Sequence, residues 1–130
     1  MSPDIQNLAR DLARRLAYVH VVKSDGVIVG TSVLYPDGSR VTLYLSADRP
    51  GLVFVSDFEG GRRRARMEGR EALFDAAIRR WPFDPPFSIE GDSIYVRVPV
   101  ERLEEAALAI ANASALALRE ALATTKSNPE

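Results

Sequence analysis

The sequence predicts an α+β fold, an antiparallel β-sheet with helices packed on it, in the order α-β-β-β-β-α-β-β-α. Three observations carry this. Arg40–Ser46 alternates strictly, with Val41, Leu43 and Leu45 on one side and Thr42, Tyr44 and Ser46 on the other, the pattern of a strand buried on one face. Strand-like runs are separated by Lys23-Ser24-Asp25-Gly26, Tyr35-Pro36-Asp37-Gly38 and Asp48-Arg49-Pro50-Gly51, turn signals that suit hairpins rather than parallel crossovers. Helical periodicity marks the two ends and the middle, and helices laid on one face of an antiparallel sheet make an economical two-layer packing.

The elements follow in order. Ser2 suits the N-cap of the first helix, Pro3 its first position and Asp4 the positive end of its dipole. Ile5, Leu8, Leu12 and Leu16 then form its apolar stripe. Tyr18–Val22 and Val27–Leu34 are strands, the second interrupted at Gly30 by a bulge or close backbone approach. Arg40–Ser46 and Leu52–Ser56 are the third and fourth. Ser56-Asp57-Phe58-Glu59-Gly60-Gly61 closes the fourth strand in a bend, where Ser and Asp side chains hydrogen-bond the nearby backbone. Arg62-Arg63-Arg64-Ala65-Arg66 is expected as an exposed connection. From about Glu71 a helix directs Leu73, Phe74, Ala77, Ile78 and Trp81 inward until Pro82, Pro85 and Pro86 stop it. Phe87–Ile89 and Ser93–Val98 form a hairpin around Glu90-Gly91-Asp92. Pro99 opens the final helix, with Glu101, Glu104 and Glu105 near its N-terminus. Residues 1–123 are expected to be one domain and 124–130 a frayed tail.

Composition narrows the function classes. With 130 residues, 46% of them apolar and 27% charged, the chain is long enough to bury a core without staples. It has no cysteine, hence neither a disulfide nor a thiolate metal site, and a cytoplasmic location is expected. The net charge of −1 gives no general pull toward nucleic acid or an anionic membrane. No uninterrupted apolar run approaches bilayer length, so no membrane partner is expected.

Two features point to partners. Ala106–Leu118 is almost entirely Ala, Leu and Ile, whereas a helix covering one sheet needs only a stripe. Leu108, Asn112, Ala115, Leu116, Leu118 and Arg119 are therefore expected to form a homodimer seam or partner surface. Arg62, Arg63, Arg64, Arg66 and Arg70 concentrate positive charge that suits an acidic protein surface or a partner within the chain, with nucleic acid a less favoured alternative.

Catalytic and metal chemistry finds less support. His20, the one histidine, lacks a second ligand for zinc and a nucleophile motif beside it; a partly exposed strand histidine is expected. Asp25, Asp37, Asp57, Glu59, Glu90 and Asp92 all lie beside turns, where Asp has a plain backbone role. The pair Gly60-Gly61 matches neither a P-loop nor a dinucleotide fingerprint. No cofactor, metal or catalytic residue is assigned.

The Tyr35-Pro36-Asp37-Gly38 turn, the strands VTLYLS (41–46) and LVFVSD (52–57), the segment EALFDAAIRRW (71–81), the strand SIYVRV (93–98) and the alanine-rich helix are similar in order and spacing to the prokaryotic family catalogued as domain of unknown function 1828. The resemblance covers about residues 26–118. The chain departs from it by placing Phe58-Glu59 between Asp57 and Gly60. Such families occur in bacteria and their mobile elements, which implies a phage-type anti-defence role as one setting. A second resemblance, of topology alone, is to the dimeric chaperones of type III secretion. The expectation is therefore a non-enzymatic protein-interaction domain. The alternatives are a secretion-type chaperone and a small hydrolase in which Asp37, Asp57 and Glu59 share a pocket.

Overall fold

The computed structural model describes residues 5–22 and 26–123, with the side chains of residues 9 and 13–22 lying outside the description. The expected cap at Ser2–Asp4, the Lys23–Asp25 turn, the side chain of His20 and the tail from 124 fall outside it.

The fold is α+β, as the alternation predicts. Helix α1 (Ile5–Leu16) leads into strands β1 (Ala17–Val22), β2 (Val27–Leu34), β3 (Arg40–Arg49) and β4 (Leu52–Ser56). Two helices follow, α2 (Gly60–Met67) and α3 (Glu71–Arg79), then strands β5 (Ser88–Glu90) and β6 (Ser93–Pro99). A 3-10 turn, Val100–Arg102, brings the chain into α4 (Leu103–Ala123). The six strands lie in the order β1-β2-β3-β4-β6-β5, every neighbouring pair antiparallel. Four strands thus meander, the chain crosses through α2 and α3, and the β5–β6 hairpin docks β6 against β4.

One face of this sheet is the core. Val27 and Val29 of β2, Val41, Leu43 and Leu45 of β3, Val53 and Val55 of β4, and Ile94, Val96 and Val98 of β6 are all buried. Both α1 and α4 pack against that face. The irregularity expected at Gly30 is a break in the β2–β3 register between Gly30 and Leu34. The Thr31 hydroxyl mends it, donating to the Val41 carbonyl at 2.7 Å and accepting the Val33 N–H at 3.1 Å.

Two expectations are corrected here. The stretch beginning at Arg62 is not an exposed connection: it belongs to α2, whose Ala65 is fully buried, so the element order gains a helix. Arg and Ala are good helix formers, and the high charge of this segment obscured the one buried turn it contributes. The second correction concerns apolar length. Val100–Ala123 is long and apolar enough to cross a bilayer by length and composition, although more than half of its most apolar window is buried inside the fold. The core helix of a globular fold has the same length and composition.

The near-complete apolar girdle of α4 has a cause within the chain. One side of α4 lies on β2, β3, β4 and β6, and another receives α2 and α3. Leu103, Ala106, Ala107, Ile110, Ala111, Ala113, Ser114, Ala115, Ala117, Leu118 and Ala121 are buried between them.

Candidate interaction surfaces

The bend after β4 is a buried polar knot. Asp57 is wholly buried and its Oδ1 accepts the N–H groups of Ile94 at 3.1 Å and Glu59 at 3.2 Å. Its Oδ2 accepts the Ser114 hydroxyl of α4 at 2.6 Å, and Ser114 Oγ lies 3.1 Å from the Tyr35 hydroxyl. Burial pushes the Asp57 carboxyl up to about 6, against the opposing pull of the Ser114 hydroxyl and the surrounding N–H groups. The Tyr35 phenol is pushed up too, by burial first and by Asp57 second. Ser56 Oγ accepts the Phe58 N–H, and Phe58 and Glu59 both take left-handed backbone, with φ of 54° and 64°. Gly60 and Gly61 are required next: a Cβ on Gly60 would collide with the Tyr35 hydroxyl, and one on Gly61 with Ser114 Oγ and the Phe74 ring.

The arginines expected to meet a partner are largely engaged within the molecule. Arg62 donates to both oxygens of Asp75 at 2.8 and 3.0 Å and to Asp92 at 2.9 Å, tying α2 to α3 and to the β5–β6 turn. Arg66 also reaches Asp92, at 2.6 Å, and with Arg62 it holds that carboxyl below the usual range. Arg64 donates to Asp37 at 3.1 Å, the Gly60 carbonyl at 2.9 Å and Ser39 Oγ at 3.0 Å, and lies 4.4 Å from the Tyr35 ring centre. Arg70 donates to the Ala121 carbonyl at 2.8 Å, at the negative end of α4. Arg63 is exposed.

The turn carboxylates do not assemble. Asp37 sits in an exposed turn, where the Ser39 hydroxyl, the Ser39 N–H and Arg64 hold it down to about 2. Asp57 is sealed in the core, and Asp92 serves Arg62 and Arg66. Among the described residues no group of three or more His, Cys, Asp or Glu is placed to hold a metal.

The expected seam on α4 divides. Ala115 and Leu118 are buried inside the domain, because α4 is covered on two sides, and they leave the candidate surface. Leu108 (39% exposed), Leu116 (42% exposed) and Arg119 remain outside with the partly exposed Asn112.

A different surface was not anticipated. Helices α1 and α4 pack on the buried face of the sheet and α2 and α3 pack on α4, while Tyr44, Phe54 and Tyr95 occupy positions of the opposite face on the adjacent strands β3, β4 and β6. Phe54 packs against Tyr44 edge-on at 6.2 Å and against Tyr95 at 5.1 Å. The bend adds Phe58, stacked on Tyr44 at 6.2 Å and 46% exposed. Arg97 lies 5.0 Å from the Phe54 ring and 5.5 Å from that of Tyr95, its guanidinium held by Asp48 at 2.7 Å. The alternation of the third strand placed Tyr44 on the outer face, but joining the rings needed the strand order, which sets β6 beside β4.

Comparison with protein-family models, with curated proteins and with solved structures finds no match. Candidate functions therefore come from the surfaces themselves.

Proposed function

We propose that this protein is a non-enzymatic binding domain that docks an apolar surface of a partner protein onto its open sheet face. The observation that carries this is the contiguous cluster Tyr44, Phe54, Tyr95 and Phe58 at the sheet face opposite the one that α1 and α4 cover. Aromatic rings and Arg are the side chains enriched in protein interfaces, where they bury large areas at small entropic cost. Charge favours a protein over nucleic acid: Arg97, the cation laid over the rings, is already paired with Asp48 rather than free to meet a phosphate. The rings also pack against one another, so they offer a continuous apolar pad rather than separated platforms for bases.

Phe58→Asn tests this cleanly, because Asn tolerates the left-handed backbone that Phe58 adopts and removes only the ring. In affinity purification from the native host, the wild type should retain a discrete protein that Phe58→Asn and a second variant, Tyr95→Lys, both lose, while unfolding midpoints show each variant folded. Equal retention by folded variants would overturn the assignment, as would recovery of nucleic acid alone.

A further inference from the structure

We infer that a second copy of this chain packs on α4, antiparallel, about a twofold axis passing by Asn112. This surface lies on the helix side, away from the aromatic face, so the inference goes beyond the binding reading above and stands independently of it.

The buried residues of α4 leave a narrow outward ridge, formed in order by Glu105, Leu108, Asn112, Leu116 and Arg119. Successive steps of three, four, four and three residues keep all five on one helical stripe. The ridge is symmetric about its centre. Leu108 and Leu116 stand four residues either side of Asn112, and Glu105 and Arg119 stand seven. An antiparallel partner centred on Asn112 therefore places Leu108 beside Leu116 of the second copy, twice. It also places Glu105 beside Arg119 of the second copy, twice. A parallel arrangement would instead bring Glu105 against Glu105 and Arg119 against Arg119. Charge complementarity thus selects a self-complementary, isologous contact.

The ridge has the chemistry of such a seam. Its two leucines are among the few exposed large apolar side chains of the described residues. Beside it Ala109, partly exposed, is small enough to allow close helix approach. The Asn112 amide donates to the Leu108 carbonyl at 3.0 Å, so its Nδ2 already has a partner when the contact closes. Glu105 is paired at 2.9 Å with Arg102 of the preceding 3-10 turn, an exposed pair that Arg119 of a second copy can join without breaking. A seam one helix wide buries less than the roughly 800 Å² per partner of a standard stable interface, so the dimer is weak and concentration-dependent.

Sedimentation velocity and light scattering across about 5–500 µM, in the range where interfaces of this size associate, read the outcome directly. The wild type should move from 14.3 kDa toward twice that mass as concentration rises. Leu116→Lys should remain monomeric throughout. Glu105→Arg and Arg119→Glu should each weaken association roughly fivefold to tenfold, and the double swap should restore it to within about twofold, because only the paired reversal recovers opposite charges. A wild type that stays monomeric, or a dimer indifferent to Leu116→Lys and to both single swaps, would overturn the inference. So would a dimer lost in Phe58→Asn, which would move the seam to the sheet face. Partner retention assayed with the Leu116→Lys monomer separates this inference from the binding function.

Discussion

At the scale of single residues, the most consequential side chain is Asp57, and its effect is on stability. A carboxyl sealed at zero exposure prefers to be neutral, so burial drives it from its ordinary 3.8 to about 6. The native state then binds more protons than the unfolded chain between those values. Its stabilising effect is greatest below about 3.8, declines as pH rises and is gone above about 6. Asp37 runs the opposite way. Held down to about 2, it contributes stability above its ordinary 3.8 that is lost as pH falls toward 2, and its exposure keeps that contribution small. The two windows adjoin without overlapping. Between pH 7 and pH 4 the wild type should therefore gain stability, on the order of 2–3 kcal/mol from Asp57. Asp57→Asn should remove that gain, with its own midpoint nearly flat over the interval. Urea midpoints of both proteins at several pH values make the comparison, and a wild type as flat as the variant would refute the assignment. The sequence revealed that Ser56–Gly61 is a bend, because Ser, Asp and paired Gly make local turns. It did not reveal that Asp57 reaches Ser114 of α4 or that Ser114 meets Tyr35, because those partners are 57 and 79 residues apart and only packing joins them.

At the scale of elements, α2 changes the meaning of the arginines. Charge density made residues 62–66 resemble a solvated loop, yet Gly61 and Ala65 are buried, and the arginines reach outward from a helix pinned by its carboxylate neighbours. Arg62 bridges two half-buried acids, so Arg62→Ala should strand Asp75, leave Asp92 to Arg66 alone and cost about 1–3 kcal/mol, while Arg63→Glu should stay within about 0.5 kcal/mol of wild type. Chemical denaturation of the two variants side by side measures the contrast, and equal losses would show that the bridge adds nothing. Reversing Arg63 and Arg64 together is a poor probe of binding, since Arg64 also braces Asp37, Ser39 and the Gly60 carbonyl. Close packing at the start of α2 supplies a further prediction. Gly61→Ala must push Ser114 or Phe74 aside and should cost about 1–3 kcal/mol. A thermal midpoint unchanged in Gly61→Ala would contradict the close approach.

At the scale of the whole molecule, α4 is the element that makes two layers into one cooperative unit. Its composition signalled a second contact surface, and α2 and α3 of the same chain supply contacts of that kind. Sequence could not distinguish an internal cover from a partner, because α2 was hidden in the arginine run and α3 fits either arrangement. The sheet was more legible: alternation sorted Leu43 from Tyr44, and turn residues set the hairpins, since both are local effects. The place of β6 between β4 and β5 rests on a return through two helices, and no local pattern encodes it. This arrangement has a measurable consequence. Phe74 of α3 is fully buried, packing that helix pair onto the core, and Trp81, the one tryptophan, packs against the same core just beyond α3. If α2 and α3 share the core through α4, tryptophan fluorescence and far-ultraviolet circular dichroism should report a single coincident unfolding transition. Phe74→Ala should lower both midpoints together, by about 3–5 kcal/mol. A fluorescence transition that precedes loss of the sheet signal, or separates from it only in Phe74→Ala, would show that the helix pair melts alone and that α4 belongs chiefly to the sheet.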